Sequence, residues 1–282
     1  MSEVENILIT LNSTNGIKRN STMLSDMLFN FQNILSDEDD IISTNISIIN
    51  AQIPVSFYII NATNNQFLVN TTIPSASNTV TLAYGNYTAN SLITAINTAL
   101  SATTVSVSFN QLNGKLKFTN SSGGSITVLD ASSVVSAYKI IGYGSASGYT
   151  STSPSTMPYP LNLLGVKKLN IKSQLLGITS FQSGTNQSTT LTTIPNNNAP
   201  YTMINYENQS DLNKSLVRVK KIDAIDIQIE DENGTKIDFN GIDWTISIVL
   251  ENIRKISRRE IPKFMQILRQ QNELVGVNPD ET

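Results

Sequence analysis

The stretch from 222 to 250, IDAIDIQIEDENGTKIDFNGIDWTISIVL, limits the fold more than any other part of the chain. Ile225, Ile227 and Ile229 alternate with Asp226, Gln228 and Glu230. Ile242, Trp244, Ile246, Ile248 and Leu250 alternate with Asp243, Thr245, Ser247 and Val249. A period of two belongs to strands with one face in a core and the other toward water. Asn233-Gly234 stands between the runs, and glycine tolerates the positive φ that a tight reversal needs. The segment predicts two strands joined by a tight turn. Trp244, the only Trp, is predicted as a core anchor at an inward position.

The same pattern recurs upstream. Ile7, Ile9 and Leu11 form a short alternation that suits an edge strand or an arm. Residues 27–35 and 41–53 predict strands, with a parity switch at Ile48-Ile49 that predicts a bulge. Between them, Ser36, Asp37, Glu38, Asp39 and Asp40 lack the spaced ligands and glycine of a calcium loop and are expected at a solvated tip. Further strand candidates are 56–60, 67–69, 80–82, 105–109, 116–118, 126–129 and 166–173, with Asn113-Gly114 as a turn. Residues 91–100 predict a short helix, capped by Asn90, with Leu92, Ile93, Ile96 and Leu100 on one face. Residues 133–141 fit a helical turn ended by Gly142. Composition marks 142–160 and 180–200 as long Ser/Thr/Asn/Pro loops. After 251, Ile261, Phe264, Met265, Leu268 and Val275 recur at helical spacing behind Pro262. The expected organisation is an arm at 1–26, a β-domain at 27–250 and a basic amphipathic tail at 251–282. The fold class is all-β: a single jelly-roll sandwich with one or two short helices in inter-strand insertions and a helical C-terminal tail.

Chemistry is constrained by what the chain lacks. It has no Cys and no His, which removes thiolate catalysis, disulfides, zinc-thiolate sites and the usual general base. Only 15% of residues are charged against roughly 25% in ordinary domains. Between Ile41 and Tyr206 the single carboxylate is Asp130, so a paired-carboxylate site has no material there. Neither a nucleophile elbow nor a phosphate-cradling loop is present. No catalytic residue, metal ligand or cofactor is expected. No apolar run approaches a membrane span, and MSEVENILITLNS lacks the basic start of a signal peptide. The many Asn-x-Ser/Thr sequons are expected from composition alone.

Charge concentrates at the C-terminal end. Arg254, Lys255, Arg258, Arg259, Lys263 and Arg269 outweigh Glu251 and Glu260, giving net +4 over 251–270 in a chain of net −3. Arg254, Arg258, Arg259, Ile261, Phe264 and Leu268 are therefore candidate partner contacts, toward an acidic protein, an internal membrane or a genome, without specific nucleic-acid recognition. The alternative is a surface helix whose basic stems cover an apolar contact.

Five blocks in order carry a resemblance: AQIPVSFYIINATNNQF (51–67), AYGNYTANSLITAINTAL (83–100), NGKLKF (113–118), PYPLNLLGVKKLNIKS (158–173) and IDIQIEDENGTKIDFNGIDW (225–244). Together they resemble the penton, or minor capsid, proteins of virophages, polinton-like viruses and giant double-stranded DNA viruses, over roughly 27–250. The resemblance implies a single jelly roll, five copies of which plug each icosahedral vertex. Double jelly-roll major capsid proteins surround it, and further minor capsid or spike proteins are potential neighbours. It implies a virion component assembled in the cytoplasm of the infected cell. The helix at 91–100 and the loops at 142–160 and 177–200 would decorate the roll. The charge contrast of 1–20 and 251–282 with the body makes these segments expected arms on its inner side that tie the vertex to its neighbours. A competing reading is a jelly-roll binding module for a glycan or host receptor, a spike or a cement protein, with Tyr143, Tyr149, Tyr159 and Tyr201 stacking on sugar rings. An enzyme is disfavoured by the missing His, Cys and paired carboxylates.

Overall fold

Strand pairing decides the architecture, and every ladder among the described residues is antiparallel. The computed structural model describes residues 2–19, 23–35, 40–178, 180, 188–209 and 213–255. The chain begins with β1 (Ser2–Asn12), β2 (Ile17–Lys18), β3 (Asp26–Leu35), β4 (Ile41–Pro54), β5 (Gln66–Thr72) and β6 (Ser75–Thr81). It continues through α1 (Ala89–Ala99), β7 (Val105–Asn110), β8 (Lys115–Asn120), β9 (Ser125–Asp130), α2 (Tyr138–Ile141), β10 (Tyr149–Thr152) and β11 (Ser155–Thr156). It ends with β12 (Lys168–Lys172), β13 (Thr190–Pro195), β14 (Met203–Glu207), β15 (Ser215–Val217), β16 (Ile222–Glu230) and β17 (Thr245–Lys255). These elements form two units: one from the segments up to Ser56 and from Lys168 onward, the other from Phe57–Lys167.

The larger unit holds two five-stranded sheets. One runs β1-β17-β4-β14, with β15 also on β4; the other runs β13-β12-β16-β3-β2. The pairings nest. β1 pairs β17, β3 pairs β16, β4 pairs β14 and β15, and β12 pairs β13. Nesting of this kind is one long hairpin wound so that its successive strand pairs alternate between two sheets, which is a jelly roll. The chain is all-β in this sense, as the strand pattern predicts.

Alternation builds the interior. Ile9 faces Ile248 and Leu11 faces Ile246 across the first sheet. In the second, Phe29 faces Ile225 and Met27 faces Ile227. All eight side chains are buried. Trp244 is 1% exposed, sits edge-on to Phe29 at 5.9 Å, and donates its indole N–H to the Leu24 carbonyl at 2.7 Å. The bulge falls where parity switches: Ser247 pairs Asn50 and Ile248 pairs Ile48, so Ile49 has no opposite residue.

The stretch at 222–250 folds differently from its prediction. The Asn233-Gly234 turn forms, with Gly234 at φ +82° and the Asp231 carboxylate accepting the Asn233 and Thr235 amides, both at 2.8 Å. Only a stub returns, through the Glu230–Lys236 bridge and the Ile237 amide on the Ile229 carbonyl. β16 has β12 on one edge and β3 on the other, so no edge is left for β17. The chain therefore crosses to the other sheet, β17 starts at Thr245, and Ile242 is exposed in the crossing. Asp226, Gln228 and Glu230, predicted to face water, are buried.

The unit at 57–167 is inserted between β4 and β12. It has a four-stranded sheet, β10-β9-β5-β6, and a three-stranded one, β11-β8-β7. Phe67, Val69, Val107, Phe118, Ile126 and Val128 share its core with Leu92 and Ile96 of α1. Thr88, not Asn90, caps α1. Its hydroxyl accepts the Ser91 amide at 3.2 Å and the Ser91 hydroxyl accepts the Thr88 amide at 2.9 Å, a reciprocal capping box. Asn97 then joins α1 to β7 like a strand residue, donating to the Val107 carbonyl at 2.8 Å and accepting its amide at 2.7 Å.

Three further boundaries differ from the sequence prediction. The segment expected as an arm contains β1, paired along its whole length to β17. The expected single body at 27–250 is divided by the insertion, and β17 carries the roll five residues past 250. The loops at 142–160 and 180–200 contain β10, β11 and β13, because Ser/Thr-rich segments pair well once a neighbouring strand offers an edge. The acidic tip at 36–39 and the helical tail after 255 lie outside the described residues.

Candidate assembly interface

The roll has unlike flanks. On the first sheet β1 leaves one edge unpaired among the described residues, and β14 and β15 form the opposite edge. β1 projects Val4 and Leu8, both more than half exposed, on the face opposite its buried Ile9 and Leu11. Val4 stands opposite Ile253 and Leu8 opposite Val249, so the apolar stripe continues onto β17. The other edge presents Met203 and Leu216, also exposed. An unpaired edge beside exposed apolar side chains is a surface that favours association.

Arg254, on β17 next to the β1 edge, is already engaged. Its guanidinium donates to Glu5 through Nε and to Asp40 through Nη1, both at 2.9 Å. It thereby ties β1, β17 and the segment before β4 together. Arg258, Arg259, Ile261, Phe264 and Leu268 lie outside the described residues. Beside Arg254, Glu251 accepts Lys214 at 2.6 Å and Asn45 at 3.3 Å. The Lys214 bond, partly opposed by burial, holds the Glu251 carboxyl below its ordinary range.

Sequence reasoning missed a buried polar layer on the second sheet. Asp226 is fully buried and accepts Arg19 at 2.5 Å, Ser173 Oγ at 2.7 Å, and the Gln174 and Leu175 amides at 3.1 and 2.9 Å. Lys172 pairs with Glu230 and Lys236 with Asp26, each at 2.5 Å. Lys172–Glu230 joins neighbouring strands β12 and β16, while Arg19 and Lys236 come from the connections that follow β2 and β16 and engage carboxylates on the strand positions that alternation assigns to water.

The four tyrosines do not form one platform. Tyr143 is buried in the insertion and donates to Asp130, whose carboxylate also accepts the Ala137 amide at 2.9 Å. Burial, reinforced by Asp130, raises the Tyr143 hydroxyl well above its ordinary pKa. It has no free face for a sugar ring. Tyr149, on β10, is half-buried against the insertion's core. Tyr159 is exposed in the same unit, and Tyr201 is exposed in the roll, at φ +67°. Among the described residues no group of three or more acidic side chains is placed to hold a metal ion, and no helix is long and apolar enough to cross a membrane.

No family model matches the sequence, and no curated protein matches it. Among solved structures, the chain matches the crystal structure of selenomethionine-labelled mavirus penton protein at a TM-score of 0.50 and 14% identity. The chain has a virophage penton-like fold. The match covers 99% of the mavirus chain and 88% of this one, more than either unit alone supplies, so the likeness runs through the roll and its insertion. At 14% identity the likeness is one of fold and not of residues.

Proposed function

We propose that this protein is a structural capsid protein that forms the homopentameric vertex of an icosahedral virion, set among double jelly-roll major capsid subunits. The observation that carries the reading is the penton-like fold over both units. The edges of the roll support it. A five-fold ring closes through heterologous contacts, in which one flank of a subunit meets a different flank of the next. The β1 edge with Val4 and Leu8 and the β14–β15 edge with Met203 and Leu216 are two such flanks. A surface poor in charge suits them, because charged residues are depleted at interface cores. The basic segment after 255 supports an inward arm that meets an anionic surface, membrane or genome.

Light scattering on the purified full chain tests the ring. The expected species has five times the 30.8 kDa chain mass. A monomer at every concentration, together with a particle reconstruction that places the protein away from the five-fold axes, refutes it. Ending the chain at Lys255 should lower vertex occupancy in assembled particles if the arm works as proposed. Unchanged occupancy removes the arm from the scheme.

A further inference from the structure

The insertion has an unusual electrostatic composition. Over 57–167 it carries Lys115, Lys117, Lys139 and Lys167 and one carboxylate, Asp130, which is committed to Tyr143 and Ala137. Nothing acidic is left to repel an anion from its surface.

Two of the lysines share a face. β8 buries Leu116 and Phe118 on one side, which places Lys115 and Lys117 together on the other. The β7–β8 hairpin ends beside them. Its tip is locked by side-chain turns: Asn110 Oδ1 accepts the Leu112 amide at 3.0 Å and Asn113 Oδ1 accepts the Lys115 amide at 3.1 Å. Both Asn side chains therefore keep their NH₂ groups for an outside acceptor. The segment that carries Tyr159 runs beside this hairpin, with Pro160 against Gly114 and the Tyr159 ring against Gly144. The Tyr159 amide donates to the Gly142 carbonyl at 2.9 Å, and two residues on, Leu161 donates to the Gly114 carbonyl at 2.8 Å. The Tyr159 side chain is 61% exposed and Leu112, across the tip, is 99% exposed.

We propose that the hairpin tip at 110–115, with Tyr159 and Lys117, binds an acidic glycan. Tyr159 offers a ring to the apolar face of a sugar. The Asn110 and Asn113 amides donate to its hydroxyl oxygens, and the two lysines pair with its carboxylate or sulfate. Two lysines are too few for a nucleic-acid surface, where roughly 6–10 phosphate contacts are typical. They are also fewer than the cluster of about 4–8 basic residues that reads as an anionic-membrane site.

The test immobilises the full chain and measures binding of 3′-sialyllactose and a heparin octasaccharide, with lactose as the neutral control. At least one acidic probe should bind, lactose should bind at least tenfold more weakly, and raising the salt should weaken the acidic probe. Lys115→Gln with Lys117→Gln should cost at least tenfold, Tyr159→Ala a similar factor, and Tyr159→Phe little, since it keeps the ring. Arg258→Gln with Arg259→Gln reports on the basic tail and should leave affinity within twofold. The proposal fails if neither acidic probe binds, if lactose binds equally, or if the tail variant loses binding that the Lys115/Lys117 variant keeps. All these positions are at the surface or in the tail, so each variant is expected to fold, which circular dichroism checks.

Discussion

Replacing Asp226 should unfold the roll more readily than replacing its ionic partner, and the structure says by how much. Asp226→Ala removes the acceptor for Arg19, for the Ser173 hydroxyl and for two backbone amides. A buried donor left without an acceptor costs about 1–3 kcal/mol. Partial rewetting lowers the sum, and about 3–5 kcal/mol is expected, the range for breaking a buried pair. Arg19→Ala is a different perturbation. The Arg19 side chain is 28% exposed, so its charge is partly solvated already, and its loss leaves Asp226 with three hydrogen-bond donors. Asp226 then keeps a buried charge without its cation, offset by those three donors, and about 2–3 kcal/mol is expected. Urea denaturation followed by Trp244 fluorescence measures both, because the chain's one Trp lies in the roll and reports that unit alone. If Arg19→Ala proves as costly as Asp226→Ala, the pair itself dominates, and the account of Asp226 as an anchor for the 173–175 backbone is wrong.

Trp244→Ala should cost about 3–5 kcal/mol, the usual range for emptying a core aromatic site, and Trp244→Phe clearly less, both measured by far-UV melting. The raised Tyr143 pKa sets an alkaline limit. The folded protein keeps this proton where the unfolded chain loses it, so the stabilisation is complete below about pH 10 and falls above it by about 1.4 kcal/mol per pH unit. Thermal melts at pH 9 and pH 11 should show the fall, with a smaller drop in Tyr143→Phe. Leu8→Glu, at a site 64% exposed, should change stability by no more than about 0.5 kcal/mol. It should nevertheless shift light scattering from pentamer toward monomer.

Much of the roll is written in local pattern. The alternation at 27–35, 41–53 and 225–229 marks strands that form, and the parity switch at Ile48-Ile49 marks a real bulge. Partnership is not local. The Asn233-Gly234 turn predicts a reversal correctly, yet which strand follows depends on β3 and β12 having filled both edges of β16. Alternation also identifies two faces without saying what covers the second. Asp226, Gln228 and Glu230 have the spacing of a wetted face, and only the distant Arg19, Lys172, Ser173 and Lys236 turn it into an interior. For the same reason Tyr143 and Tyr159 look alike in sequence. Asp130 and the packing around α2 separate a buried hydroxyl from an exposed ring.

The nested pairing has a consequence for biosynthesis. Ser2 lies opposite Lys255, so β1 leaves the ribosome long before the strand it pairs with. At roughly 5–20 residues per second, translation of the intervening segment takes on the order of ten to fifty seconds. Through that interval Val4 and Leu8 sit on a nascent ribbon with no sheet to join. A chain stalled before residue 245 lacks β17 and cannot close the roll.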